Sequence, residues 1–144
     1  MTAPIEVFGA ASKKAWFSAY EVVVISATQS KYVESEEGLK IVADNTIYDD
    51  LNLDVLIVPS AYEMDGFLNN PDLIGFIKQQ KESTSWMASN CSGAFLLGEA
   101  GVLDGKKATT WAGGEKSLAS AYPKIKVQYD QNTVIDTQVI TSNG

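Results

Sequence analysis

Short runs of apolar and β-branched residues alternate along this chain with segments that repeat apolar positions every three or four residues. The runs at residues 20–27, 53–59 and 85–89 have the composition of strands that are buried on both faces of a parallel sheet. Between the last two runs, residues 70–80 begin with an Asn-Pro pair and continue with helical spacing, which predicts an N-capped helix. Strand, helix and strand in this order predict a right-handed crossover in an α/β fold.

The second half of the chain continues the alternation in shorter steps. A helix is predicted to follow residue 91 and to end near Glu99, where Gly101 can take the left-handed capping conformation. Residues 117–122 predict another short helix. Short alternating segments predict further strands at residues 40–44, 125–129, 133–135 and 139–141.

Length and charge narrow the class of protein. With 144 residues, of which 45% are hydrophobic, the chain is expected to form one domain over residues 1–144. A net charge of −7 without any basic run argues against a nucleic-acid partner. No apolar stretch approaches the roughly 18 residues of a membrane span. A single cysteine cannot form an internal disulfide and fits a reducing compartment, so we expect a cytoplasmic protein.

Two missing residue types restrict the chemistry. The chain contains no His, and all 11 of its basic residues are Lys. Without His there is no Cys-His pair and no His-containing metal site, so we expect neither a metal nor a cofactor. Proton transfer must then use a carboxyl group, the thiol, a Tyr, a Lys or water. Without Arg there is no bidentate clamp for phosphate or carboxylate, which favours a small, weakly charged substrate.

Cys91 is the only cysteine, and it lies where a short apolar run meets small residues and then a helical pattern. This is the arrangement of a nucleophile elbow, in which a strand ends, a tight turn holds the nucleophile and a helix begins. The unpaired N–H groups and the positive end of the helix favour a thiolate. A buried cysteine that packs as a small hydrophobe is the alternative, but Ser92 and Gly93 suit a close-packed turn better than a core strand.

Four segments match the motifs of one known family in their order and spacing: residues 54–59, 89–94, 97–110 and 139–144. Together they resemble the ThiJ/PfpI family, within the class I glutamine amidotransferase-like superfamily. The resemblance implies an α/β fold of the flavodoxin-like type, a three-layer sandwich with a mainly parallel sheet, usually in a homodimer. It also implies a first strand and a closing C-terminal helix, both of which the domain at residues 1–144 is expected to lack.

The resemblance assigns an acidic partner to the nucleophile. In this family an acidic residue near the N-terminus reaches the cysteine, and Glu6 matches that position. A carboxyl group beside a thiolate is pushed toward its protonated form, so it can donate a hydrogen bond to sulfur and later deliver a proton. The alternative is a solvated glutamate in the first turn of a helix.

The resemblance also implies an oxyanion site made by two backbone N–H groups. They would be those of Ser92, directly after the nucleophile, and Ala61, in the loop after the Val-Pro strand. Relatives usually carry two glycines in that loop, whereas this chain has Ser60 and Ala61. Tyr62 would line the pocket or lie on the loop surface.

The position after the Thr-Thr pair separates this chain from many relatives. Where they have His, this chain has Trp111 after Thr110, so a Cys-His peptidase is excluded. Both residues are candidates for the pocket, and packing in the core is the alternative for Trp111. What remains resembles the histidine-free isonitrile hydratases, in which a thiolate attacks an electrophilic carbon.

Two classes of function follow. The first is a cysteine-dependent hydratase or hydrolase that acts on a small electrophilic molecule such as an isonitrile or a carbonyl compound, with Cys91 as nucleophile and Glu6 as acid. The second is a non-catalytic module that senses oxidants or ligands through Cys91, including the sensor half of a transcription regulator.

Overall fold

The computed structural model describes residues 2–14, 20–35 and 38–144. The chain divides into two compact units, residues 1–50 and residues 51–144. The described residues of the first unit form these elements: α1 (Thr2–Lys14), β1 (Ile25–Ser26), β2 (Tyr32–Glu34), β3 (Lys40–Val42) and β4 (Asn45–Thr46). Strand β1 pairs in parallel with β4, while β2 and β3 form an antiparallel hairpin.

Strand β1 is much shorter than the predicted run at residues 20–27, because side chains take up backbone hydrogen bonds on both sides of it. The Val24 N–H donates to the carboxylate of Asp44 at 2.8 Å, and the Thr28 N–H donates to the Ser26 hydroxyl at 3.1 Å. Such side-chain partners compete with the strand ladder and end it.

The second unit contains the sheet that carries Cys91. Its elements, in chain order, are β5 (Val55–Val58), α2 (Asp65–Leu68), α3 (Pro71–Ser83), β6 (Trp86–Asn90), α4 (Gly93–Glu99), β7 (Lys107–Ala108), α5 (Glu115–Ala121), β8 (Lys126–Val127), β9 (Thr133–Asp136) and β10 (Val139–Ser142). The main sheet has the order β5-β6-β10-β9, with β9 antiparallel to β10 and the other neighbours parallel. Strands β7 and β8 form a separate parallel pair.

Several predicted elements are confirmed. The Asn70 side chain accepts hydrogen bonds from the N–H groups of Asp72 and Leu73, so α3 begins where the Asn-Pro pair predicts. Gly101 has a φ of 70°, the left-handed conformation expected after α4. Helix α5 begins at Glu115, two residues before the predicted start. Helix α2 is not predicted by the sequence, because four residues are too few for a helical pattern.

The core of the second unit packs α4 and the segments around it against the sheet. Its fully buried side chains include Ile77, Leu97, Val102, Leu103 and Leu118. Strand β6 has a parallel neighbour on each side, so its carboxyl end is flanked by those of β5 and β10. In open α/β sheets this edge is where ligands bind, and the next residue after β6 is Cys91.

Candidate active site

Cys91 has a strained backbone held at both of its polar groups. Its φ is 52°, in the left-handed region that residues other than glycine rarely occupy. The Cys91 N–H donates to the Ser142 carbonyl at 2.9 Å, and the Thr110 hydroxyl donates to the Cys91 carbonyl at 2.8 Å. A left-handed non-glycine residue costs on the order of 1–3 kcal/mol and persists only when its surroundings fix it. The half-buried Cys91 therefore has the conformation of an elbow nucleophile.

Gly93 allows helix α4 to start directly against the end of strand β5. A Cβ built on Gly93 would lie 2.3 Å from the Val58 carbonyl oxygen and 2.8 Å from that of Pro59. Any side chain at this position would clash with backbone, which cannot move as the end of a flexible side chain can. The glycine two residues after the cysteine is thus required by packing.

The Ser92 side chain joins the elbow to the loop that follows β5. Its hydroxyl donates to the Ala61 carbonyl at 2.9 Å and accepts from the Ala61 N–H at 3.1 Å. Within the described residues the Ser92 N–H has no acceptor, as expected at the start of a helix. Ser92 thus offers a free N–H next to the thiol, while the Ala61 N–H already has a partner. The oxyanion role of both groups stays a prediction.

Strand β10 supports the elbow through residues to which the sequence pattern assigns no function. The Thr141 hydroxyl accepts from the Thr109 N–H at 2.8 Å, and the Asn90 side-chain amide donates to the Ser142 hydroxyl at 3.2 Å. Gly144 lies beside the thiol, since a Cβ built on it would be 4.0 Å from the Cys91 Sγ. Backbone carbonyls and close approaches have no residue-type signature, so only the match of residues 139–144 to a family strand points here.

Trp111 belongs to an aromatic cluster beside the elbow. Its ring stacks on Phe95, with centroids 5.1 Å apart, and Phe95 meets Tyr122 edge to face at 6.1 Å. Burial and a 2.8 Å hydrogen bond to Glu99 raise the pKa of Tyr122. Trp111 is half-buried, so it is neither a core residue nor a free surface side chain.

The other predicted site residues differ in how exposed they are and in which unit of the chain they lie. Thr110 is fully buried against the elbow. Tyr62 is 85% exposed. Glu6 lies on α1 in the first unit, where its side chain is exposed. The pairing of Glu6 with the thiol and the place of Tyr62 in a pocket stay predictions.

A surface cleft of about 390 Å³ opens at the opposite end of α4 from Cys91. Its lining mixes cationic and acidic side chains: Lys78, Lys81, Glu82, Glu99 and Asp104. Lys81 donates to the Gly101 carbonyl at 3.2 Å. This cleft contains neither the nucleophile nor any of its contacts, so we assign it no part in the chemistry.

A parallel α/β sheet that ends in a strained cysteine before a helix defines the nucleophile-elbow class of proteins. Residues 1–144 match the model of the DJ-1/PfpI family, and the chain belongs to this family. The resemblance to the ThiJ/PfpI family is thereby confirmed.

The relatives extend from a named enzyme to proteins without a named activity. The chain is 36% identical to an isonitrile hydratase from Pseudomonas putida over 81 residues, which are 56% of this chain and 36% of that protein. It is 34% identical to an uncharacterized protein in the cpoL 5' region of Streptomyces lividans, covering 85% of each chain. A ThiJ/PfpI family protein from Pseudomonas syringae superposes with a TM-score of 0.79 at 24% identity, covering 100% of this chain and 58% of that one.

The structural similarity confirms the flavodoxin-like α/β fold, with a sheet that is mixed because of β9. The chain spans little more than half of the Pseudomonas syringae protein, and its alignment covers about a third of the isonitrile hydratase. In the described part of the chain, no group of acidic, cysteine or histidine side chains could hold a metal ion. None of the described helices is long and apolar enough to cross a membrane.

Proposed function

We propose that this protein is an enzyme that uses Cys91 as a covalent nucleophile to hydrate a small isonitrile. The observation that carries the proposal is the left-handed Cys91, fixed at its N–H and its carbonyl between β6 and α4. Such an elbow holds a side chain clear of the sheet and beside free N–H groups at a helix start. The isonitrile hydratase from Pseudomonas putida, which is 36% identical over 81 residues, supports the substrate class.

The proposed hydration has two steps, addition of the thiolate and hydrolysis of the adduct. The Cys91 thiolate adds to the terminal carbon of the isonitrile, and that carbon takes a proton, which gives a thioimidate bonded to sulfur. Water then attacks the same carbon, the carbon–sulfur bond breaks, and the nitrogen takes a proton. One isonitrile and one water thus give one N-substituted formamide, and the thiolate is regenerated.

Glu6 would supply the proton in the first step and recover it from water in the second. A carboxyl group within hydrogen-bond reach of the reacting carbon can act as such a general acid and then as a base. The free Ser92 N–H would stabilise negative charge that develops during attack. The Ala61 N–H would join it only when the substrate displaces the Ser92 hydroxyl that now occupies it.

The site favours a substrate without formal charge. The chain has no Arg to bind an anionic group, and the half-buried Trp111 stacks on Phe95 beside the elbow. Trp111 and Tyr62 would line the pocket for the isonitrile substituent, whereas Thr110, predicted for the same pocket, is fully buried against the Cys91 backbone. An apolar or aromatic substituent suits such a surface better than a phosphate or carboxylate does.

The direct test is product formation. Wild type incubated with cyclohexyl isonitrile should release N-cyclohexylformamide, measured by liquid chromatography and mass spectrometry, and Cys91→Ala should release none above the buffer rate. If wild type also forms no formamide, while peroxide adds oxygen to Cys91, the hydratase proposal is wrong and the sensor function is favoured.

We further propose a cytoplasmic homodimer. The compartment is supported by the single cysteine, which a reducing environment keeps free. The dimer is supported by the family resemblance alone. Size-exclusion chromatography with light scattering tests it.

A further inference from the structure

The Thr110 side chain is hydrogen-bonded to the backbone of Cys91, not to its thiol. Its side chain is fully buried, and its hydroxyl donates to the Cys91 carbonyl at 2.8 Å. We infer that Thr110 is a positioning residue that holds Cys91 in the left-handed conformation needed for attack on the substrate. The inference rests on the proposed function, because it gives Thr110 a role only where Cys91 is a nucleophile.

The Cys91 carbonyl needs this donor because the left-handed turn takes it out of the strand ladder. Strand β6 ends at Asn90, and the Cys91 N–H still pairs with the Ser142 carbonyl. The Ala94 N–H also donates to the Cys91 carbonyl, at a much longer 3.4 Å. Among the described residues the Thr110 hydroxyl therefore makes the shorter bond to this carbonyl, and it opposes a return to an extended conformation.

The position of Thr110 is itself fixed by the strand that binds the Cys91 N–H. The Thr109 N–H donates to the Thr141 hydroxyl at 2.8 Å, which attaches this segment to β10. One residue further along β10, the Ser142 carbonyl accepts from Cys91. Both ends of the Cys91 residue are thus held from the same strand, one directly and one through Thr110.

The hydroxyl is the part of Thr110 that holds the Cys91 carbonyl. Val has nearly the shape of Thr but cannot donate, so Thr110→Val leaves the packing and removes the bond. Ser keeps the hydroxyl and loses a methyl group, so Thr110→Ser should restore the function of the bond. Thr109 gives a matched control, because it is as buried as its neighbour and its hydroxyl contacts Gln131 and Thr110 but not Cys91.

The experiment measures the rate at which iodoacetamide alkylates Cys91, followed by intact mass, at pH values on both sides of the ordinary thiol pKa of about 8.5. We expect Thr110→Val to lower the high-pH plateau rate about tenfold or more, because a small displacement of a nucleophile has a large kinetic cost. Thr110→Ser and Thr109→Val should both stay within about twofold of wild type, well below the effect of a displaced nucleophile.

A second measurement needs no variant. Because the chain has one cysteine, selective ¹³C labelling gives a single Cys91 carbonyl resonance. If the Thr110 hydroxyl donates to it, that resonance must show a deuterium isotope shift between H₂O and D₂O beyond the contribution of the amide groups. If Thr110→Val does not fold, this measurement still tests whether the Thr110 hydroxyl donates to the Cys91 carbonyl. The absence of the additional shift would overturn the positioning role.

The outcomes separate the two proposals. A wild-type Cys91 that iodoacetamide does not alkylate at any pH tested contradicts the proposed function. A reactive wild type with an equally reactive Thr110→Val overturns the positioning role and leaves the proposed function standing. An equal loss in Thr109→Val also overturns it, because the effect would then follow from any lost buried hydroxyl.

Discussion

At the scale of single residues, the elbow combines a strained residue with one that has no room for a side chain. Cys91 has a φ of 52°, and a Cβ built on Gly93 would lie 2.3 Å from the Val58 carbonyl oxygen. Hydrogen bonds at the Cys91 N–H and carbonyl hold the strained residue, and Gly93 lets helix α4 pack directly against the end of β5. The elbow therefore combines a hydrogen-bonded nucleophile with a close packing contact two residues further along the chain.

Gly93→Ala should lower the free energy of unfolding by about 1–3 kcal/mol or more, since the added methyl overlaps backbone that cannot relax. Chemical denaturation monitored by circular dichroism measures the change. Gly75→Ala is the matched control, because Gly75 lies in helix α3 with open space around it. That substitution should stabilise the protein by about 0.5–1 kcal/mol. A Gly93→Ala variant that is as stable as wild type or as Gly75→Ala would contradict the packing described here.

How far single residues can be predicted depends on whether their role lies in the side chain. Cys91 and the glycine after it are predictable, because a lone thiol before small residues and a helical pattern is a side-chain signal. The double hydrogen bond between Ser92 and Ala61 is not, although the sequence singles out both residues for their backbone N–H groups. Nothing in the pattern distinguishes a hydroxyl that faces solvent from one that binds a loop.

At the scale of secondary-structure elements, the site depends on β10, the strand that is most distant in sequence from β6 among its sheet neighbours. It pairs with β6 in parallel from Val139 to Ser142, opposite Met87 to Asn90. Helix α3 and strands β5, β6 and β10 are predictable from the sequence, because their patterns are local. The pairing order of the strands is not, since it depends on contacts between residues that are more than fifty positions apart.

Strand β7 is attached to β9 by a carboxylate. The Lys107 N–H donates to Asp136 at 2.8 Å, and this bond, helped by the Thr137 hydroxyl and the charges of Lys106 and Lys107, lowers the pKa of Asp136. A carboxyl whose pKa is lower in the folded state stabilises the fold above the unfolded pKa of about 3.9. That stabilisation is lost as the pH falls below this value toward the folded pKa.

Asp136→Asn should therefore destabilise the protein at neutral pH, and its difference from wild type should shrink as the pH falls through about 3.9. Urea denaturation over a series of pH values measures both effects. The control is Asp104→Asn, which removes an exposed ion pair with Lys124 and should cost no more than about 0.5 kcal/mol. A difference for Asp136→Asn that is the same at every pH would contradict the assignment.

At the scale of the whole molecule, the two residues of the proposed chemistry belong to different units of the chain. Cys91 and its contacts lie in residues 51–144, whereas Glu6 lies in residues 1–50. The family fold is predicted over the full length, because its motifs are distributed along it, and it is confirmed. The Glu6–Cys91 pairing is a weaker kind of prediction than the fold, because it rests on the position of one acidic residue and on no local motif.

Glu6→Gln should reduce formamide production from an isonitrile at least a hundredfold, roughly the size of a lost general acid. The amide keeps the shape of the side chain but cannot deliver a proton. Glu34→Gln, which removes the same charge from the exposed strand β2 of the same unit, should leave turnover unchanged. Equal turnover in Glu6→Gln and wild type would show that another group or water provides the proton.

The central claim is that Cys91 forms a covalent intermediate, and rapid-quench intact-mass spectrometry tests it most directly. Wild type mixed with excess cyclohexyl isonitrile should gain the mass of one isonitrile on Cys91 within the first turnover and lose it as the formamide appears. Cys91→Ala should show no gain. Formamide released by wild type without any adduct on Cys91, or by Cys91→Ala at the wild-type rate, would contradict the account.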